Sequence, residues 1–217
     1  QGPQGQMWWG SSPRGFRDEA LITGSSSIHH ALRCGVAIAD ELGEDVPGWD
    51  AAADRLAHAL RAHPELFTPK TEFSMDWFYP VLTGVMVGEQ ARKRIDERWD
   101  DFVVDGLGIR CVDHRPWVTG AETCEFVLAL EAADRHEQAL EQFTNMQHLR
   151  EEDGSYWTGL VFADGKRWPV ELSTWTGAVV LLAADAISRT TPGNEIFRYV
   201  SAHTAQRLRS QPGDPTV

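Results

Sequence analysis

Three carboxylates, Asp76, Glu122 and Glu171, stand at or just before the start of apolar, helix-prone segments, and Trp77, Tyr79 and Trp175 stand beside them. Carboxyl groups in an aromatic-lined cavity can divide general acid and general base roles, because burial raises one pKa while hydrogen bonding keeps the other ionised. Cleavage of a glycosidic bond needs such a pair. The same residues at helix N-termini can also act as caps whose charge complements the helix dipole, so each position has a structural reading beside the catalytic one. The candidate substrate contacts are His29, Trp77, Tyr79, Trp117, Tyr156, Trp157, Arg167, Trp168 and Trp175. Aromatic faces stabilise carbocations through their quadrupoles and stack equally well on sugar rings, so the 9 Trp fit an isoprenoid or a saccharide substrate. Lys166 and Arg167 are the bases that could meet a diphosphate or a sugar carboxylate.

A metal site is not expected. Cys111-Val112-Asp113-His114 offers thiolate and imidazole, but it is one short cluster without a second. Cys34 and Cys124 lie in apolar helical stretches, where a buried structural thiol is the common arrangement. Three scattered Cys without a CxxC pair argue against a disulfide framework and point to the cytoplasm. The formal net charge of -12 disfavours nucleic acid or an anionic bilayer as partner. No apolar run approaches the roughly 20 residues of a membrane span. The 217 residues, 42% of them hydrophobic, suffice for one sizeable globular domain rather than a disordered chain.

The elements that must position these side chains are helical hairpins repeated at a period of roughly fifty residues, which argues for stacked supersecondary units. His29, Asp76, Glu122 and Thr174 mark the equivalent starts, 47, 46 and 52 residues apart. In each unit an apolar helix is followed by an amphipathic return: Ser26 to Leu42 with Trp49 to Ala62, Trp77 to Val87 with Gly88 to Asp101, Glu122 to Ala133 with Glu137 to Leu149, and Ser173 to Ser188 with a last helix through Ile196, Val200 and Leu208. Pro80 fits the first turn of its helix and would kink anything later. Ser173 to Ser188 is nearly apolar throughout and is expected to be buried on all sides. Residues 102 to 112 read as a structured loop split by glycines. A hairpin-like insertion is expected near 155–172, around the turn Ala163-Asp164-Gly165.

The fold class is therefore all-α, with apolar helices inside and amphipathic helices outside, an α/α toroid in which four hairpins make an incomplete ring. Residues 1–20 read as a connector from a missing N-terminal half, 21–209 as the toroid domain and 210–217 as a flexible tail. The oligomeric state is not legible.

The stretch Gln147-His148-Leu149-Arg150-Glu151-Glu152-Asp153-Gly154-Ser155-Tyr156-Trp157 resembles the Gln-Trp repeat of the terpenoid cyclases and protein prenyltransferases. Residues Leu21 to Ser188 look like the C-terminal half of actinobacterial proteins described as prenyltransferases of that superfamily, through Met75 to Leu82, Arg115 to Cys124 and Asp153 to Gly159. The resemblance implies transfer or cyclisation of an isoprenoid in an aromatic-lined cavity, with Mg2+ as cofactor where the substrate is a diphosphate. The Asp-x-Asp-Asp acid of the cyclases is absent; the nearest sequence is Trp99-Asp100-Asp101. The hairpin ring also resembles six-hairpin glycosidases, which would use Asp76, Glu122 or Glu171 as acid and base. A noncatalytic binding scaffold is the third reading.

Overall fold

The computed structural model describes residues 1–13, 15, 16, 19–198 and 200; the expected continuation of the last helix to Leu208 and the tail 210–217 lie outside the described residues. The described chain is mostly helical. Its helices are α1 (Ile22–Leu42), α2 (Pro47–Ala62), α3 (Ser74–Leu82), α4 (Gly88–Glu97), α5 (Trp99–Phe102), α6 (Gly120–Ala132), α7 (His136–Asn145) and α8 (Thr174–Ser188). Short antiparallel pairs join β1 (Ser11–Ser12) to β2 (Gly15–Phe16) and β3 (Val103–Val104) to β4 (Gly108–Ile109). A three-stranded antiparallel sheet is built from β5 (Trp117–Thr119), β6 (Gly159–Val161) and β7 (Lys166–Arg167), in that order.

Helices α1, α3, α6 and α8 form a row in which each packs on the next, and α2, α4 and α7 cover it from outside. Two hydrogen bonds show that α1 and α3 run parallel. The Thr23 hydroxyl donates to Asp76 Oδ1 at 2.7 Å near both N-termini, and His29 Nδ1 meets the Thr83 carbonyl at 3.2 Å where α3 ends. The N-termini of α6 and α8 also lie together, since a Cβ on Gly120 would stand 2.6 Å from Thr176 Cγ2. The main core fills the space around Trp77, Phe78, Phe102 and Phe126, all at most 3% exposed.

Pro80 sits inside α3, not in its first turn, and the helix stops two residues later. Proline has no N–H to offer the carbonyl four residues back. Arg94 of α4 replaces that donor: Nη2 donates to the Asp76 carbonyl at 2.7 Å and Nε to the Trp77 carbonyl at 2.7 Å, while the Trp77 indole donates to the Arg94 carbonyl at 2.7 Å. This exchange fixes the rotation of α3 against the outer layer.

Further elements differ from expectation, among them α3, which runs Ser74–Leu82 and not Trp77 to Val87. Helix α1 begins at Ile22, not Ser26, so His29 lies in its second turn and Thr23 is the residue level with Asp76. Gly24 and Ser25 fall before the expected start, yet they are helical, and Ser25 and Ser26 are buried at 2% and 0% exposure, where small side chains let helices approach. Burial on all sides belongs to α6, while α8 exposes Leu181 and Leu182 opposite its contact with α6. Residues 103–109 form the β3–β4 hairpin, and the expected insertion near 155–172 pairs with β5 as a third strand.

The two ends of the described chain are tied back. Gln1 Nε2 donates to the Ala52 carbonyl of α2 at 3.0 Å. After α8, Arg198 pairs with the buried Glu131 at 2.7 Å, and Phe197 stacks on His30 of α1 with ring centroids 4.8 Å apart.

Candidate active site

Strand β5 runs without a break into α6, and the sheet holds the helix start in place. Gly120 N–H donates to the Thr158 carbonyl of the segment before β6 at 3.0 Å, and Thr123 Oγ1 donates to the Thr119 carbonyl at 2.6 Å while accepting the Ile109 N–H at 3.0 Å. Glu122 stands in the first turn of α6, and Glu125 follows three residues later, on the same face of the helix.

Glu125 is 8% exposed, and its Oε2 is buried with no hydrogen-bond partner among the described residues. Burial lifts its carboxyl from 4.5 to about 7, the charge of Glu122 adds to the lift, and the Tyr79 hydroxyl and Trp175 indole turned toward it pull the other way. Burial pushes the Tyr79 phenol up, and the Glu125 and Glu122 carboxylates push it further. The Cys111 thiol is raised by burial and then by Glu122 and Glu125. Tyr79 from the second half of α3, Glu122 and Glu125 from the first turns of α6, Trp175 from the first turn of α8 and Cys111 from the loop after β4 therefore form one group. A carboxyl that holds its proton near neutral pH beside a second carboxylate has the makings of a general acid.

Asp76 has a different set of neighbours. It is 5% exposed, accepts from Thr23 Oγ1 at 2.7 Å and from the Lys70 N–H at 3.2 Å, and borders a cavity of about 140 Å³ lined also by Ile22, Thr71, Arg94 and Arg98. Burial raises its pKa, and the bonds from Thr23 and Lys70 and the charge of Arg94 offset part of the rise. Glu171 is exposed on the loop before α8, where its Oε1 accepts from Thr158 Oγ1 at 3.1 Å.

The expected substrate contacts separate into three groups. Trp77 is 3% exposed and stacks on Phe102 with centroids 5.3 Å apart; His29 is fully buried, with its pKa lowered to about 3 by burial and by Arg33. Tyr156 is 9% exposed and donates its hydroxyl to Gln147 Oε1 at 2.9 Å, Trp157 bonds to Glu151, and Arg167 donates to the His148 carbonyl at 2.6 Å. These side chains hold the frame together. Tyr79 and Trp175 join the Glu125 group, whereas Trp117 and Trp168 meet edge to face on the sheet, with centroids 4.8 Å apart.

Glu125 was not among the expected site residues. Its signal in the sequence is charge in an apolar setting: Glu125 and Glu131 are the charged residues within the apolar run from Thr123 to Ala133, and Glu125 is spaced three from Glu122. Glu131 is matched by Arg198 and His136.

Fold and site together define a mostly helical protein with a carboxyl pair, the buried Glu125 and the half-buried Glu122, beside aromatic side chains. No family model matches the chain. It is 63% identical over 198 residues to the MMP endo-(1,4)-3-O-methyl-alpha-D-mannosidase of Mycolicibacterium hassiacum, a match covering 91% of this chain and 55% of that protein. The chain thus spans about half the length of this curated relative. This likeness overturns the resemblance to prenyltransferases and terpenoid cyclases, and with it the isoprenoid substrate and the transferase class. The relative is named for a glycosidase. The helical-hairpin pattern and the Trp-bearing turn that carried the resemblance are features of architecture, which different chemistries share.

Proposed function

We propose that this chain carries part of the active site of a glycoside hydrolase that cleaves within α-(1,4)-linked 3-O-methylmannose chains. The single observation that carries the reading is the Glu122–Glu125 pair on α6, in which the buried Glu125 keeps its proton to about pH 7; the 63% identity to a protein named for this activity gives the substrate class. Glu125 acts as general acid, giving its proton to the glycosidic oxygen as the bond from that oxygen to the anomeric carbon breaks. Water adds to the anomeric carbon and loses a proton to Glu122, so that each cleavage consumes one water and returns one new hydroxyl on each fragment. Tyr79 and Trp175 position Glu125, and Glu171 lies at the mouth. Asp76, with its own cavity, serves α1–α3 packing in this scheme. Mg2+ entered only as the companion of a diphosphate and has no part here.

The row α1, α3, α6 and α8 with its outer helices is proposed to be an arc of an α/α toroid, with the carboxyl pair facing its interior. The test is to incubate the full-length protein with α-(1,4)-linked 3-O-methylmannose oligosaccharides and follow new reducing ends. Internal cleavage is expected. If the glycans stay intact while the folded protein binds them, the scaffold reading replaces this one.

A further inference from the structure

The segment from the end of β7 into the first turn of α8 presents apolar side chains to solvent: Trp168 at 55%, Val170 at 82%, Leu172 at 47% and Trp175 at 56% exposure. Such a run is usually covered or loosely held, yet this one is pinned at every second or third residue. Trp168 N–H donates to the Gly159 carbonyl at 3.1 Å, and the Trp168 carbonyl accepts the Trp117 indole N–H at 2.8 Å. Further along, Thr158 N–H donates to the Glu171 carbonyl at 3.3 Å and Ser173 N–H to the Tyr156 carbonyl at 3.1 Å. The backbone of the strap is thus fixed while its apolar side chains remain exposed.

Charge narrows what it can bind. The bases beside it are engaged elsewhere, Lys166 with Asp164 at 2.8 Å and Arg167 with the His148 carbonyl at 2.6 Å. Glu171, the charged side chain within the strap, accepts from Thr158. An anionic ligand finds no uncommitted cation beside the strap among the described residues, and an unmodified sugar would lay hydroxyls on Val170 and Leu172, which return no hydrogen bond. At its C-terminal end the strap reaches Trp175, whose indole turns toward Glu125. The strap therefore ends at a side chain that faces Glu125.

We propose that the strap Trp168–Trp175 reads the O-methyl groups of the substrate, with Val170 and Leu172 as specificity-determining residues and Trp168 as a stacking platform. The inference rests on the glycoside hydrolase reading of the same site. A methyl group moved from water onto an apolar surface favours binding by roughly fourfold, so a chain that places two methyl groups on the strap gains on the order of tenfold over its unmethylated counterpart. An oligosaccharide of plain mannose with the same linkage has the same length and shape of backbone and lacks only that gain.

The experiment uses the full-length protein, its Val170→Ser/Leu172→Ser double variant and its Trp168→Ala variant. Calorimetric affinities are measured for an α-(1,4)-linked 3-O-methylmannose tetrasaccharide and for the unmethylated tetrasaccharide, with cleavage of both and particle mass recorded alongside. The expected result is about tenfold tighter binding of the methylated glycan by the wild type, a preference below twofold in the double variant, and weaker binding of both glycans by Trp168→Ala. Equal affinity for the two glycans, or a preference untouched by the double substitution, overturns the strap assignment even where cleavage proceeds. A double variant that changes particle mass or melts several degrees lower shows that protein covers the strap, and that also overturns it. Absence of both binding and cleavage in the wild type overturns the strap together with the hydrolase reading.

Discussion

Replacing Glu125 with glutamine should make the folded chain more stable at alkaline pH while leaving it nearly unchanged in acid. The folded carboxyl titrates near 7 against an ordinary value of 4.5, so the folded state holds a proton that the unfolded state releases. Stability contributed by this group is fully present below about pH 4.5, is lost as the pH rises, and is gone above about pH 7. The gap corresponds to about 3 kcal/mol, and burial at 8% exposure means that solvent screens little of it. Glutamine keeps the shape and cannot ionise. For a chain of this length, about 3 kcal/mol is worth roughly 6–12 °C in melting temperature. Thermal melts of wild type and Glu125→Gln at about pH 4.5 and pH 8 should therefore coincide at the lower pH and separate at the higher, with the variant melting later. A variant that melts earlier at pH 8, or a difference independent of pH, would refute the claim that Glu125 is a desolvated carboxyl.

Tyr79→Phe removes a group that favours the ionised form of Glu125, so the alkaline limb of the pH–rate profile should move to higher pH; an unmoved limb contradicts the assignment of Glu125 as acid. Arg94→Met deprives the Asp76 and Trp77 carbonyls of their donor and should cost about 3 kcal/mol in denaturant unfolding. Adding Pro80→Ala, which returns an N–H to the Asp76 carbonyl, should recover about 1 kcal/mol of that loss. Gly120→Ala would set a Cβ 2.6 Å from Thr176 Cγ2 and 3.2 Å from Leu149 Cδ1, so destabilisation of about 1–3 kcal/mol by overpacking is expected in the same assay.

The inner helices were legible from the recurrence of their apolar residues, and the starts of α6 and α8 fell within two residues of those expected, whereas α3 starts at Ser74, three residues before the expected Trp77. The start of α1 was hidden because Gly24 and its serines are poor helix formers in isolation, and tertiary packing overrides that propensity. The Gln147 to Trp157 motif performs the local role its residue types suggest: Gln147 Nε2 donates to the Phe143 carbonyl at 3.0 Å at the end of α7, and Tyr156 seals the turn by bonding to Gln147. That local logic explains a fold and is silent on a reaction, which is why the motif pointed to the wrong chemistry. Glu122 stands out as a candidate from its place at a helix start. Glu125 was passed over as part of an apolar helix, and its meeting with Tyr79 and Trp175 depends on how α3, α6 and α8 are rotated against one another. Long-range contacts set that rotation, among them Arg94 at the Pro80 break and Thr176 against Gly120, and neither has a signature in the spacing of residues.

The most direct test of the carboxyl pair as hydrolytic machinery is the rate at which the full-length protein cleaves an α-(1,4)-linked 3-O-methylmannose oligosaccharide, compared among wild type, Glu122→Gln and Glu125→Gln with folding verified by circular dichroism. Each substitution is expected to lower the turnover rate by about a hundredfold to ten-thousandfold with glycan affinity retained. Turnover within a fewfold of wild type in both folded variants would contradict the assignment.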